Sequence, residues 1–194
     1  MKELFRQYLI DLYQSVPQEV YEGLLSVFCL GAVVVIAFKG FRKGWRYVAG
    51  LLLIEYIALL YCSMVICRPY SEDVGHDFTP FWSYAAIQKG RIELIPENVM
   101  NAVVFVPVGI LLGSMLRGKG SWLIALMVGM VISISIEAMQ YVFHRGFAET
   151  DDVMHNTVGC VLGYIMVKGA RLCKSGIAER RNRRDRIARQ WTKT

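Results

Sequence analysis

Apolar residues in this chain run in long blocks, unlike the one-sided or alternating patterns of a water-soluble domain. Five blocks stand out, approximately Tyr21 to Phe38, Trp45 to Cys67, Asn98 to Leu116, Ser121 to Phe143 and Val153 to Val167. A hydrocarbon core about 30 Å thick takes roughly 20 apolar residues as a helix, at about 1.5 Å per residue. Four blocks meet or approach that length and the fifth is short. The pattern predicts an all-α fold, a polytopic membrane bundle of about five transmembrane helices. It divides the chain into an interfacial segment at 1–17, a transmembrane domain at 18–167 and a basic tail at 168–194.

The first segment is helical in pattern but not a span. Leu4, Phe5, Tyr8, Leu9, Leu12 and Tyr13 repeat at helical spacing, with Lys2, Glu3, Arg6, Gln7, Asp11 and Gln14 on the other face. Such a helix lies in the membrane interface or packs on the protein's own loops. Pro17 ends or turns it. Between the second and third blocks, Thr79 as a cap, Pro80 at the first helical position and Gly90 as a stop frame a short helix. Phe78, Phe81, Trp82 and Tyr84 suit the headgroup level, so this segment is a re-entrant or interfacial helix, or a plain aromatic anchor.

Composition agrees with a membrane protein. Of the 194 residues 55% are hydrophobic, and the mean hydropathy is +0.38. Charge then orients the chain. Lys39, Arg42, Lys43, Arg46, Arg117, Lys119 and the run from Lys168 to Lys193 fall on one side, sixteen of the 22 Lys and Arg. Only Lys2, Arg6, Arg68, Lys89, Arg91 and Arg145 fall on the other. Basic residues favour the cytoplasmic face, so the N-terminus is expected outside and the C-terminus inside. The basic tail suits anionic inner-leaflet lipids; without a recognition motif, nucleic acid is not an expected partner. The five cysteines form no disulfide framework or metal spacing, and neither a metal nor a cofactor is expected.

Polar residues inside the apolar blocks carry the functional signal, because hydrocarbon penalises them. Ser133, Glu137, Gln140 and His144 share a helical stripe, as do Asp152, Asn156, Gly159 and Gly163, and Asn98, Asn101 and Phe105. With the expected topology all three stripes converge in the outer half of the bilayer. Glu137 then sits roughly 9 Å below its helix end. It is expected to be protonated, to bond Gln140 or Asn101, or to pair with Arg145 through water. Arg145 and the Asp151–Asp152 pair occupy one turn and are expected partners. The candidate pocket is therefore Asn101, Glu137, Gln140, Arg145, Asp151, Asp152, His155 and Asn156. A network that only locks three helices is the alternative. Gly109, Gly113, Gly159 and Gly163 form two small-xxx-small pairs for close helix contact, and Pro107 is expected to kink its helix. Glu55 is isolated in mid-span, with Ser26 a candidate partner. His155 near Asp152 suggests acid-base chemistry, but no activated nucleophile or phosphate loop accompanies it.

The ordered set Asn101-x-x-x-Phe105-x-Pro107-x-Gly109, Ser135-x-Glu137-x-x-Gln140, Arg145, and Asp151-Asp152-x-x-x-Asn156-Thr157-x-Gly159-x-x-x-Gly163-Tyr164 resembles the VanZ-like family. Phe78-Thr79-Pro80-Phe81 looks like that family's Asn-Leu-Ile-Pro-Phe segment, and Glu149 stands where Asp is usual. The likeness covers roughly Phe78 to Tyr164. It implies a small polytopic protein of the bacterial cell membrane, of a kind associated with raised resistance to teicoplanin, and brings no established reaction with it. The resulting expectation is non-enzymatic binding of a membrane lipid, a lipid-linked peptidoglycan precursor or a lipoglycopeptide in an outer-leaflet pocket. The alternatives are a membrane enzyme acting on an outer-leaflet lipid or cell-wall intermediate, and a small transporter.

Overall fold

The computed structural model describes the backbone of all residues except 1, 2, 4, 8, 9, 11–13, 73, 74 and 192–194, and side chains except at these and at 41–43, 182 and 185–191. Of the expected amphipathic helix, Lys2, Leu4, Tyr8, Leu9, Asp11, Leu12 and Tyr13 lie outside the described residues; Glu3, Phe5 and Arg6 among the others are helical.

Six helices follow. They are α1 (Gln18–Gly40), α2 (Gly44–Ile66), α3 (Trp82–Gln88), α4 (Leu94–Met115), α5 (Ser121–Val142) and α6 (Thr150–Trp191). The helices α1, α2, α4 and α5 are each long and apolar enough to cross a membrane. No loop separates α1 from α2. The chain stays helical across the basic segment and turns at Gly40, whose φ of 69° suits a residue without Cβ. The last turn of α2, Cys62–Ile66, widens to π geometry. Two short strands, β1 (His76–Asp77) and β2 (Ala148–Glu149), pair in parallel and tie the loop after α2 to the loop before α6.

Helix α6 is 42 residues long. At about 1.5 Å per residue that exceeds the roughly 45 Å of a whole bilayer. The basic region beyond Lys168 is thus a continuation of the helix as far as Trp191. The apolar stretch of α6 is broken by His155 and Asn156 and ends at Lys168, which separates it from the four long apolar helices. It nevertheless sits at the centre, with Cys160 and Asn156 wholly buried.

Glycine decides that packing. A Cβ on Gly109 would collide with the Cys160 carbonyl, one on Gly159 with Ala102, and one on Gly163 with Val106. Backbones of α4 and α6 therefore touch, side by side and in parallel. In lipid, where apolar side chains gain little by leaving the solvent, such close contact is a main source of helix adhesion. Helix α5 runs antiparallel to both and α2 covers the remaining side, enclosing Phe105, Val108, Ile136 and Val65. Helix α4 runs unbroken through Pro107, and the Tyr56 hydroxyl donates to the Val104 carbonyl one turn earlier (2.8 Å). Ser26 bonds the Glu22 carbonyl on its own helix and not Glu55, because a mid-helix serine finds the carbonyl four residues back within reach.

The two ends of the bundle differ chemically. At one, Arg46 and Arg171 donate to the Met115 and Ser114 carbonyls (2.9 and 2.6 Å), and Lys168 reaches Leu116 (3.4 Å). They satisfy the carbonyls left over where α4 stops and complement its dipole. At the other end the polar residues gather.

Candidate functional site

The end of α2, α3, the start of α4, the end of α5 and the start of α6 meet around a set of buried polar groups. Asp151 is fully buried. Its carboxylate accepts the Phe81 N–H (2.6 Å), the Ser83 N–H (2.9 Å) and the Ser83 hydroxyl (2.6 Å). Asn98 in turn donates to the Ser83 Oγ (3.0 Å). This overturns the expected cap. Neither Thr79 nor Pro80 starts α3; it begins at Trp82, after Phe81 in a left-handed conformation (φ 65°). The free N–H groups of its first turn are met by Asp151, distant in sequence.

The expected pairing of Arg145 with Asp151 and Asp152 is also overturned. Arg145 donates to the Ile66 and Arg68 carbonyls, the latter at 2.9 Å. Its cation serves the orphan carbonyls beyond α2, while Asp151 is taken by α3 and Asp152 accepts from Asn101 Nδ2 (2.6 Å). Glu137 makes no direct bond to Gln140 or Arg145. Its Oε2 accepts the Glu149 N–H (3.0 Å), whereas Gln140 donates to the Met64 carbonyl (2.9 Å), freed where α2 loosens.

The eight predicted pocket residues thus fall into neighbouring groups. Glu137, Asp152 and Asn101 adjoin, with Glu149 between α5 and α6. Asp151 belongs to the α3 anchor. Asn156 lies deeper, donating to Ser133 Oγ (2.8 Å). Gln140 ties α5 to α2. His155 faces the other flank of α6, with Nε2 at 2.8 Å from the Tyr84 hydroxyl. Arg145 is on the rim.

Three further residues matter. Glu149, noted only as a departure from a motif, accepts a hydrogen bond from the Trp82 indole (3.0 Å). Burial, then the charges of Asp152 and Glu97, push its carboxyl up to about 8. Arg68 is a cation facing Glu97, Glu137 and Asp152, with Arg91 also near Glu97; its signal in sequence is a basic residue just past an apolar block. Ser83, inside what reads as an aromatic anchor, gives no such signal.

Two apolar grooves flank α6. One, of about 450 Å³, opens between α5 and α6 and is walled by Phe78, Ile134, Ala138, Tyr141, Val142 and Val153, with Glu137 and Glu149 among its lining. Glu137 is 6% exposed and its Oε1 has no hydrogen-bond partner among the described residues. The other, of about 430 Å³, lies between α4 and α6 and carries Tyr84, Asn98 and His155, whose Nδ1 is likewise unpartnered. Each groove thus has an unpartnered polar atom buried behind its lining, a costly arrangement. Among the described residues no group of three His, Cys, Asp or Glu is placed to hold a metal.

These features define a helical membrane protein with a polar cluster at one end, open sideways through apolar grooves. A family model described as VanZ/LLP1 matches residues 53–173, and the chain belongs to that family. The match extends beyond the segment that carries the motif likeness, taking in the second half of α2 and the first half of α6 as far as Cys173. Neither the curated proteins nor the solved structures include a match to this chain.

Proposed function

We propose that this is a multi-pass protein of a bacterial cell membrane that takes a lipid or lipid-linked cell-wall precursor from the outer leaflet into the groove between α5 and α6. In this reading α6 is a fifth span, the N-terminus is outside and the C-terminus inside. The observation that carries it is the unpartnered Glu137 Oε1, buried in a residue that lines an apolar groove. An acyl or isoprenoid chain suits walls of Ile134, Ala138, Val142 and Val153, and a hydroxyl or amine on its polar end suits Glu137. The clustering of basic residues at the opposite end supports the orientation. Through such binding the protein lowers the access of a lipid-anchored glycopeptide such as teicoplanin to its target.

The test compares wild type with Glu137→Ala at equal membrane abundance. Mass spectrometry of lipids retained by the purified protein is expected to show one species lost in the variant, and cells are expected to lose their added teicoplanin tolerance. Unchanged lipid and unchanged tolerance would remove the groove from the explanation.

A second reading is a membrane enzyme acting on the same lipid. The Nδ1 of His155 and the Oε1 of Glu137 favour it, since neither is committed to a hydrogen bond among the described residues. A Glu137-dependent change of mass in the cell's lipids, with and without the protein, distinguishes catalysis from binding.

A further inference from the structure

Beside the carboxyl cluster lies a third cavity, of different character. It measures about 360 Å³ and is lined by Arg68, Pro69, Ser71, Gly75, Arg145, Gly146 and Phe147. Among the described residues that lining carries two guanidinium groups and no carboxylate. We propose that this cavity binds a phosphate group, and that the phosphate belongs to the polar end of a membrane lipid.

Four observations lead there. First, its walls are cross-linked before any ligand arrives. Ser71 N–H donates to the His144 carbonyl (2.9 Å), Ala148 N–H donates to the Gly75 carbonyl (3.2 Å), and β1 pairs with β2. Preformed walls reduce the ordering cost of binding. Second, Arg145 is held in place by two backbone carbonyls, both through Nη1. A guanidinium carries five N–H donors, so the fixed group keeps others to offer. Third, Gly146, at φ 154°, lets Arg68 approach: a Cβ there would meet the Arg68 Nη1 at 3.0 Å. Arg68 makes no side-chain hydrogen bond among the described residues; its charge faces both the cavity and the carboxyls behind it.

The fourth observation is position. The apolar helices α2 and α5 end at Ile66 and Val142, and Arg68 and Arg145 follow within three residues of those ends. A side chain just past the end of a span stands at the headgroup layer, where lipid phosphates are. Paired guanidiniums suit phosphate oxygens through parallel, charge-assisted hydrogen bonds. The groove of the proposed lipid reading is a separate feature, so this inference rests on that reading only for the source of the phosphate.

The experiment uses the full chain in dodecyl maltoside, a detergent without phosphate. Inorganic phosphate, short-chain phosphatidic acid and the matching diacylglycerol are titrated by calorimetry. Phosphate and phosphatidic acid are expected to bind and to compete, with phosphatidic acid the tighter. Arg68→Gln is expected to weaken both by about tenfold or more, the loss of a charged hydrogen-bonding partner. Pro69→Glu, an exposed change that leaves Arg145 in place, is expected to do the same by repulsion. Binding of inorganic phosphate without competition by phosphatidic acid would keep the anion site and overturn its assignment to a lipid. Absence of saturable phosphate binding, or binding indifferent to both variants while they remain folded, would overturn the site itself. Diacylglycerol reads the groove alone, so loss of its binding with phosphate binding intact counts against the groove and not against this cavity.

Discussion

Asp151 and Ser83, on helices far apart in sequence, share two hydrogen bonds: the Ser83 backbone N–H and its hydroxyl both end on the Asp151 carboxylate. With the third bond from Phe81 N–H, one carboxylate organises the first turn of α3. Replacing it leaves buried donors without acceptors. Asp151→Ala is expected to lower stability by about 2–4 kcal/mol, since an unmet buried donor costs about 1–3 kcal/mol and charged hydrogen bonds sit at the upper end. Asp151→Asn, which keeps an acceptor, should lose less. Reversible unfolding in mixed micelles measures this, and equal loss for both variants would show that acceptor geometry is not the cause.

Helix adhesion has a second test. The interhelical bond from Asn156 to Ser133 is buried, but such bonds in membrane proteins average only about 0.6 kcal/mol. Ser133→Ala should therefore be mild. Gly109→Ala should be severe, because its Cβ would strike the Cys160 carbonyl, which is backbone and cannot rotate away. Overpacking of this kind costs about 1–3 kcal/mol or more. Gly176→Ala, with nothing within 4 Å, serves as the control. Should Ser133→Ala prove costlier than Gly109→Ala, hydrogen bonding and not backbone contact would be the dominant adhesive.

Glu149 provides a pH signature. Its carboxyl titrates near 8 in the folded chain against 4.5 for the ordinary group. The folded state therefore holds the proton more tightly, and the unfolded state gives it up first. The stabilisation is complete below about 4.5, declines as pH rises, and is gone beyond about 8. Unfolding midpoints measured between those limits should fall with pH in wild type and fall less steeply in Glu149→Gln. Parallel curves for the two proteins would contradict the assignment.

The proposed orientation is open to thiol labelling. Cys173 is exposed on α6 at the basic end, and Glu72 is exposed at the other. In intact cells a membrane-impermeant maleimide should label Glu72→Cys and spare Cys173 until the membrane is opened. The reverse pattern would invert the proposed topology and move the grooves to the inner leaflet.

Much of the architecture is readable from the chain, and the reason is local. Hydrophobic block length reports helices, because a lipid-exposed backbone must bond within its own segment. The glycine pairs on α4 and α6 report close contact through their spacing alone. Partner choice is less readable. From spacing, Arg145 belongs with Asp151 and Asp152, its neighbours in one turn. The bundle instead brings the end of α2 to Arg145 and the start of α3 to Asp151, and each charge goes to the backbone groups left unmet there. Ser83 and Arg68 escape notice because their roles depend on residues dozens of positions away.

Alone, the sequence settled the four long apolar helices and the polar positions they carry, since these follow from block length and from the cost of burying charge. Tertiary structure decided which polar group meets which, and that α6 continues as one helix through the basic region. It also opened the grooves beside Glu137 and His155. Hydrogen-bond partners at helix ends are chosen by which orphaned N–H or C=O arrives within about 3 Å, and only the packed bundle determines what arrives.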